Sequence, residues 1–159
     1  MFGKKKKRSS LISPVTGKVI PLENSEDRAF AEKLVGDGVA LMPTDGNFVC
    51  PANGRIAGVA EALHAYSLET DEGIDLLIHI GIDTVELMGE GYTPHVKSGD
   101  IVKAGDPLCR VDLELLKSKG YSVCTPVVIC DMEKVSDFSP VYGEVTGGKD
   151  IIIEYTPKS

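Results

Sequence analysis

The sequence predicts an all-β fold, an antiparallel β-sandwich or barrel-like arrangement with one or two short helices. Three observations predict it. Ile and Val recur in short runs broken by 17 Gly and 9 Pro, which is the composition of strands and turns. A Pro-x-x-Gly-x-(Val/Ile) pattern recurs three times, as Ser13-Pro-Val-Thr-Gly-Lys-Val19, Cys50-Pro-Ala-Asn-Gly-Arg-Ile56 and Ser139-Pro-Val-Tyr-Gly-Glu-Val145. The stretch from Gly73 to Asp83 alternates with the two-residue period of a strand. At 159 residues the chain has the size of one domain that can bury a core without metals or disulfides.

Taken in chain order, residues 1–10 are expected to form a basic disordered tail and residues 11–159 a single domain. Each Pro-x-x-Gly corner is read as a turn: Pro fixes φ, Gly supplies a left-handed residue, and the β-branched residue starts a strand. The spacing of the corners is uneven, so they do not make a solenoid. Ser25 to Val35 reads as a short helix, capped by Ser25 or Asp27 and closed by Gly36. In Val96-Lys-Ser-Gly-Asp-Ile-Val-Lys-Ala-Gly-Asp-Pro-Leu-Cys-Arg-Val111, two Gly-Asp turns flank a short strand and predict a compact corner. Leu113 to Lys119 suits one or two further helical turns. Pro126-Val-Val-Ile129 and Ile151-Ile-Ile-Glu-Tyr155 read as strands.

Charge and composition exclude several functions. The formal net charge is −7, and setting aside the +5 of Lys4 to Lys7 and Arg8 leaves −12 for the rest, which argues against a nucleic-acid-binding body. Without an amphipathic helix behind it, the basic run gives only weak, salt-sensitive attraction to an anionic membrane, and a solvated tail is the reading preferred. No apolar run approaches the roughly 20 residues of a membrane span, and no secretory segment is present, so a cytoplasmic location is expected. Cys50, Cys109, Cys124 and Cys130 lack CxxC spacing and are expected to be reduced core or strand residues.

The segment most informative about function is Gly73-Ile-Asp-Leu-Leu-Ile-His-Ile-Gly-Ile-Asp83. Alternation places Ile74, Leu76, Ile78, Ile80 and Ile82 on the core face, and Asp75, Leu77, His79, Gly81 and Asp83 on the other. A two-residue loop at Asp71-Glu72 would set His64 directly opposite His79, with Cβ atoms about 5 Å apart. A neutral imidazole is a good nucleophile near pH 7, and a second ring can donate to transferred oxygens, which suits phosphoryl transfer. Geometry alone leaves three readings open: phosphoryl transfer, an unremarkable surface pair and a metal site. His95, in Tyr92-Thr-Pro-His-Val96, is read as a loop histidine.

Ala31-Glu-Lys-Leu-Val-Gly-Asp-Gly-Val-Ala40, His64-Ala-Tyr-Ser-Leu-Glu69, Leu77-Ile-His-Ile-Gly-Ile-Asp-Thr-Val-Glu-Leu87, Gly89-Glu-Gly91 and Thr125-Pro-Val-Val-Ile129 resemble the glucose-type enzyme IIA of the bacterial phosphoenolpyruvate-dependent sugar phosphotransferase system. The resemblance runs over residues 11 to 155. It implies an antiparallel sandwich of the duplicated hybrid motif type and a phosphocarrier that needs no cofactor. By this resemblance His79 takes a phosphoryl group from HPr and passes it to a cysteine of a sugar-specific IIB domain. His64 stabilises that group, and Asp83 and Gly81 support the site. The resemblance also implies a monomer, further contacts with regulated permeases or metabolic enzymes, and partner docking on Phe30, Leu34, Val35, Leu77 and Val85. One position departs from the pattern: the family has Thr two residues before its first histidine, and this chain has Ala62.

Three rival readings compete with it. A biotinyl or lipoyl carrier would need Met-Lys-Met or Asp-Lys-Ala at a hairpin tip, and neither string occurs. A zinc peptidase on a similar scaffold would show His-x-His, which is missing, although zinc held by His64 and His79 stays open as a secondary property. A regulatory binding protein of the same fold is the third.

Overall fold

Short β-branched runs punctuated by glycine and proline form fourteen strands among residues 8–158, the span described by the computed structural model. In order these are β1 (Ser9–Ile12), β2 (Gly17–Pro21), β3 (Asp37–Pro43), β4 (Asn47–Val49), β5 (Gly54–Val59), β6 (Ala65–Thr70) and β7 (Asp75–His79). The second half carries β8 (Tyr92–Pro94), β9 (Ile101–Val102), β10 (Pro107–Val111), β11 (Thr125–Ile129), β12 (Val135–Pro140), β13 (Gly143–Val145) and β14 (Ile151–Pro157). Two α-helices interrupt them, α1 (Arg28–Ala31) and α2 (Leu113–Ser118).

An eight-stranded sheet runs in the order β13-β2-β3-β11-β7-β6-β5-β9, and two three-stranded sheets, β1-β14-β12 and β4-β10-β8, pack with it. The pairings are antiparallel, as the turn-rich sequence predicts. Among the described residues no sheet closes on itself, so the structure is a sandwich and not a closed barrel. One apolar cluster joins the layers: Val39, Leu41, Leu76 and Ile78 of the large sheet, Leu11, Ile153 and Tyr155 of one small sheet, and Phe48 and Leu108 of the other. Every residue of β11 is buried, which fits its place between β3 and β7.

Local chemistry accounts for several boundaries. The Asp27 side chain accepts from the backbone N–H of Ala29 and Phe30 and starts α1. The helix stops well short of Gly36 because Lys33 turns left-handed at φ 61. The N–H of Leu34 then reaches the Ala29 carbonyl and that of Lys33 the Phe30 carbonyl, which satisfies the last turn. The two Gly-Asp turns form as expected: Asp100 Oδ2 accepts from Lys97 N and Asp106 Oδ2 from Lys103 N, on either side of β9. At the Pro-x-x-Gly corners only Gly143 is left-handed, at φ 109. Gly17 and Gly54 are glycines for another reason, since a Cβ would lie 2.2 Å from the Met42 carbonyl oxygen or 2.1 Å from that of Glu69 on the neighbouring strand.

The N-terminal boundary also differs from expectation. Ser9 and Ser10, placed in the tail by the sequence, pair with Tyr155 and Glu154 of β14. The Arg8 guanidinium donates to the Asp137 carbonyl and to Ser139 Oγ, while Ser9 Oγ and the Tyr155 hydroxyl both reach Glu72. Pairing covers what would otherwise be an open β14 edge. Lys4 to Lys7 lie outside the described residues. The four cysteines are free thiols, but Cys130 is exposed just past the end of β11 and only the other three are buried. Burial pushes the Cys50 thiol up to about 12 and that of Cys124 to about 11, so neither provides thiolate near neutral pH.

Two glycines of β5 give a sharp comparison. Gly54→Ala drives a methyl group into the Glu69 carbonyl and is expected to cost roughly 1–3 kcal/mol. Gly58→Ala meets nothing within 4 Å and is expected to be neutral or mildly stabilising. Urea unfolding of the two variants beside the parent chain measures both.

Candidate functional site

The segment that carries His79 is built as a strand with one apolar face. Ile74, Leu76, Ile78, Ile80 and Ile82 are all buried, whereas Asp75 and Asp83 are exposed and Leu77 and His79 half-buried. β7 lies between β11 and β6 inside the eight-stranded sheet, so the backbone bearing His79 is bonded on both sides. A central strand is a stiff support.

The register with β6 is one residue off the expected one. His79 pairs with Ala65, and Glu69 with Asp75. The loop holds three residues because Gly73 belongs to it, left-handed at φ 82, and Thr70 and Ile74 close it through the bond from Thr70 N to the Ile74 carbonyl. His64 therefore falls just outside β6, in a turn where Leu63 adopts φ 65. Its carbonyl accepts from Ile80 N at 2.7 Å, but its side chain is released from strand alternation. The two rings still meet: their centroids are 4.9 Å apart with an interplanar angle of 88°, edge to face.

His79 is oriented by its own backbone. Its Nδ1 donates to the Gly81 carbonyl at 2.8 Å, which leaves Nε2 with the lone pair. Gly81 is left-handed at φ 90, and a Cβ there would sit 2.5 Å from Thr84 Cγ2. Phe30 of α1 packs beside the histidine, with ring centroids 5.1 Å apart. Burial lowers the His79 pKa, partly offset by the Gly81 bond and by the charges of Asp27 and Asp83. The His64 pKa is lowered by burial and then by the neighbouring His79.

The second ring is more enclosed than a pair of outward histidines would be. His64 is 8% exposed, because it sits in the turn with its neighbour stacked against it. Among the described residues its Nδ1 is buried without a hydrogen-bond partner, and Ala62, two residues back and itself buried, offers no hydroxyl. Asp83 is exposed and left-handed at φ 60, ahead of a 3-10 turn over Thr84–Leu87.

Of the apolar residues expected to dock a partner, Leu34 at 75% and Val85 at 49% exposure stand free. Val35 and Leu77 are half-buried against Leu22, Phe30 and Val128, and Phe30 is itself buried. Met88, which the sequence did not single out, is as exposed as Leu34. The sequence signals Asp27 only as a helix cap, yet its charge acts on His79. Its place after Ser25 signals the cap, and nothing in the sequence signals its influence on His79. His95 lies exposed in a bend after β8. No group of three or more His, Cys, Asp or Glu among the described residues converges as a metal site, and two imidazoles supply half of a tetrahedral set.

Fold and site together define a class, the β-sandwich proteins that present two edge-to-face imidazoles at the end of a central strand. Residues 9–135 match the family described as phosphoenolpyruvate-dependent sugar phosphotransferase system, EIIA 1. The chain is 41% identical over 156 residues to the PTS system glucose-specific EIIA component of Haemophilus influenzae, covering 96% of this chain and 94% of that protein. It is 41% identical over 152 residues to the component of the same name from Borreliella burgdorferi, covering 96% of this chain and 80% of the other. Among solved structures, the glucose permease IIA from Mycoplasma capricolum superposes with a TM-score of 0.86 at 32% identity, over 93% of this chain and 96% of that one. The chain belongs to the EIIA 1 family of the sugar phosphotransferase system. It is a phosphocarrier component of that system and a transferase in kind.

Both histidines have folded-state pKa values below the ordinary value of about 6.5, so the unfolded chain binds their protons more readily. Their contribution to stability is present above about pH 6.5 and is lost as pH falls from there through the lower folded-state values. Urea midpoints are expected to fall between about pH 7.5 and 5.5, and His64→Gln/His79→Gln is expected to flatten part of that slope.

Proposed function

We propose that His79 accepts a phosphoryl group from phospho-HPr and passes it to a cysteine on the IIB domain of a sugar permease. The observation that carries the reading is the bond from His79 Nδ1 to the Gly81 carbonyl, which commits one ring nitrogen as a donor and leaves Nε2 free to attack. In the first step the Nε2–P bond forms as the donor's N–P bond breaks, and the donor nitrogen keeps the electron pair. In the second a thiolate of the IIB domain attacks phosphorus, an S–P bond forms, and Nε2 recovers its lone pair. A ring carrying phosphorus on Nε2 and hydrogen on Nδ1 is cationic. The Gly81 carbonyl and the charges of Asp27 and Asp83 favour that form.

His64 is the stabiliser of the transferred group. With Nδ1 buried and unpartnered, a proton is better placed on Nε2, where it can donate to phosphoryl oxygens beside the ring of His79. Gly81 supports the site as the acceptor for His79, and Asp83 as a neighbouring charge. Leu34 and Val85 form the exposed part of the docking surface, with Val35 and Leu77 at its margin and Phe30 beneath His79. The transfer needs no cofactor, and zinc on His64 and His79 would need further ligands from a partner. The protein is read as a monomer that acts in the cytoplasm; no helix among the described residues is long and apolar enough to cross a membrane.

Incubation with phosphoenolpyruvate, enzyme I and HPr is expected to add one acid-labile phosphate, read by intact-mass spectrometry. His79→Ala should take none. His64→Ala should accept the group and fail to hand it on to a IIB domain. An unmodified parent chain after that incubation would overturn the assignment.

A further inference from the structure

We propose that Thr84 and Tyr92 are positioning residues for His79, acting through the Ile80 carbonyl that both of their hydroxyls hold. The inference rests on the reading of His79 as the acceptor and adds how its ring is kept in the reactive tautomer.

Thr84 Oγ1 donates to the Ile80 oxygen at 2.8 Å and the Tyr92 hydroxyl donates to the same oxygen at 2.6 Å. Ile80 and Thr84 are fully buried and Tyr92 is 6% exposed. One partner is enough to satisfy a buried carbonyl, so the second does more than cover a polar atom. Two donors occupy both lone pairs and fix the direction of the C=O bond. Burial pushes the Tyr92 hydroxyl up to about 12, so it stays a donor at any pH the protein meets.

That carbonyl belongs to the first of two successive peptide planes that separate the clamp from the histidine. The far side of the first plane, Gly81 N–H, donates to the Cys124 carbonyl at 3.1 Å. In the second plane Gly81 O receives the His79 Nδ1 proton at 2.8 Å, and Ile82 N–H donates to the Ser122 carbonyl at 3.1 Å. The joint between the planes is Gly81, left-handed at φ 90 and without a Cβ to hold a conformation of its own. A flexible joint must be held from outside. Cys124 and Ser122, in the segment just before β11, hold the N–H side of both planes, and Thr84 and Tyr92 hold the carbonyl side of the first. Thr84 also seats the joint sterically, since its Cγ2 and Oγ1 fill the space a Gly81 Cβ would need. If the first plane tilts, the Gly81 oxygen swings away from Nδ1 and the proton is free to move to Nε2. The nucleophile is then blocked.

The test uses the intact, unphosphorylated chain labelled with 15N, in which long-range 1H–15N spectra report which nitrogen of His79 carries the proton. The parent chain is expected in the Nδ1–H form. Tyr92→Phe and Thr84→Val should each raise the Nε2–H fraction roughly fivefold, the effect of losing one ordinary hydrogen bond, and Thr84→Ser should restore the parent signature. Transfer from phospho-HPr at saturating donor should slow only in proportion to the Nδ1–H fraction lost, with the half-saturating donor concentration unchanged because no docking residue is altered. A folded double variant with parent His79 nitrogen shifts would overturn the proposal. Tyr92→Phe, which keeps the ring and removes one atom, decides the matter by itself if the double variant does not fold. The tautomer is read without phosphate, so a shifted tautomer in a chain that never takes phosphate would keep the clamp and remove the phosphoryl reading.

Discussion

A single hydrogen bond, from His79 Nδ1 to the carbonyl two residues along its own chain, decides what the imidazole can do. It fixes the ring's rotation and chooses which nitrogen is bare. The bond exists because Gly81 can occupy a left-handed conformation that would drive any larger residue into Thr84. That conformation in turn follows a strand bonded on both sides and anchored by an unbroken row of buried isoleucine and leucine. Hydrophobic burial on one face therefore sets the chemistry of the other.

The same anchoring reaches the second histidine by a different route. His64 belongs to no strand, and what brings it to His79 is the bond from Ile80 N to its carbonyl together with the turn at Leu63. The result is an asymmetric pair. One ring has its Nδ1 satisfied by backbone, and the other has its Nδ1 buried and unmatched. An orphaned buried nitrogen is costly, and Ala62, buried two residues back, has no hydroxyl to offer it. The His64 ring is thus held by packing and by its carbonyl more than by a side-chain bond.

Period and turn chemistry carried most of the fold into the sequence. Alternation from Ile74 to Ile82 named the buried face correctly, and the Gly-Asp turns fell where they were expected. Features set by backbone conformation were harder to read. Whether Gly73 counts as loop or strand moves the register by one residue, and the choice is made by the closing bonds at Thr70 and Ile74. A left-handed Leu63 or Lys33 has no sequence signal, because glycine, asparagine and aspartate favour that region and leucine and lysine do not. The conjunction of His64 and His79 was legible, but the reason for it was not: direct opposition was expected, and a turn beyond the strand supplies it. Exposure of the docking residues depended on packing, which separates buried Phe30 from free Leu34 although both flank the end of one short helix.

The pairing of β1 with β14 joins residues near opposite ends of the chain, Ser9 with Tyr155 and Leu11 with Ile153. A ribosome must therefore release everything from β1 through β14 before this small sheet can assemble. The hairpin that bears His79 closes over three residues and can form long before. Loop-closure entropy separates the two events. During synthesis the apolar side chains of β1 wait longest for their partners, and until the last strand emerges the growing chain has an uncovered flank.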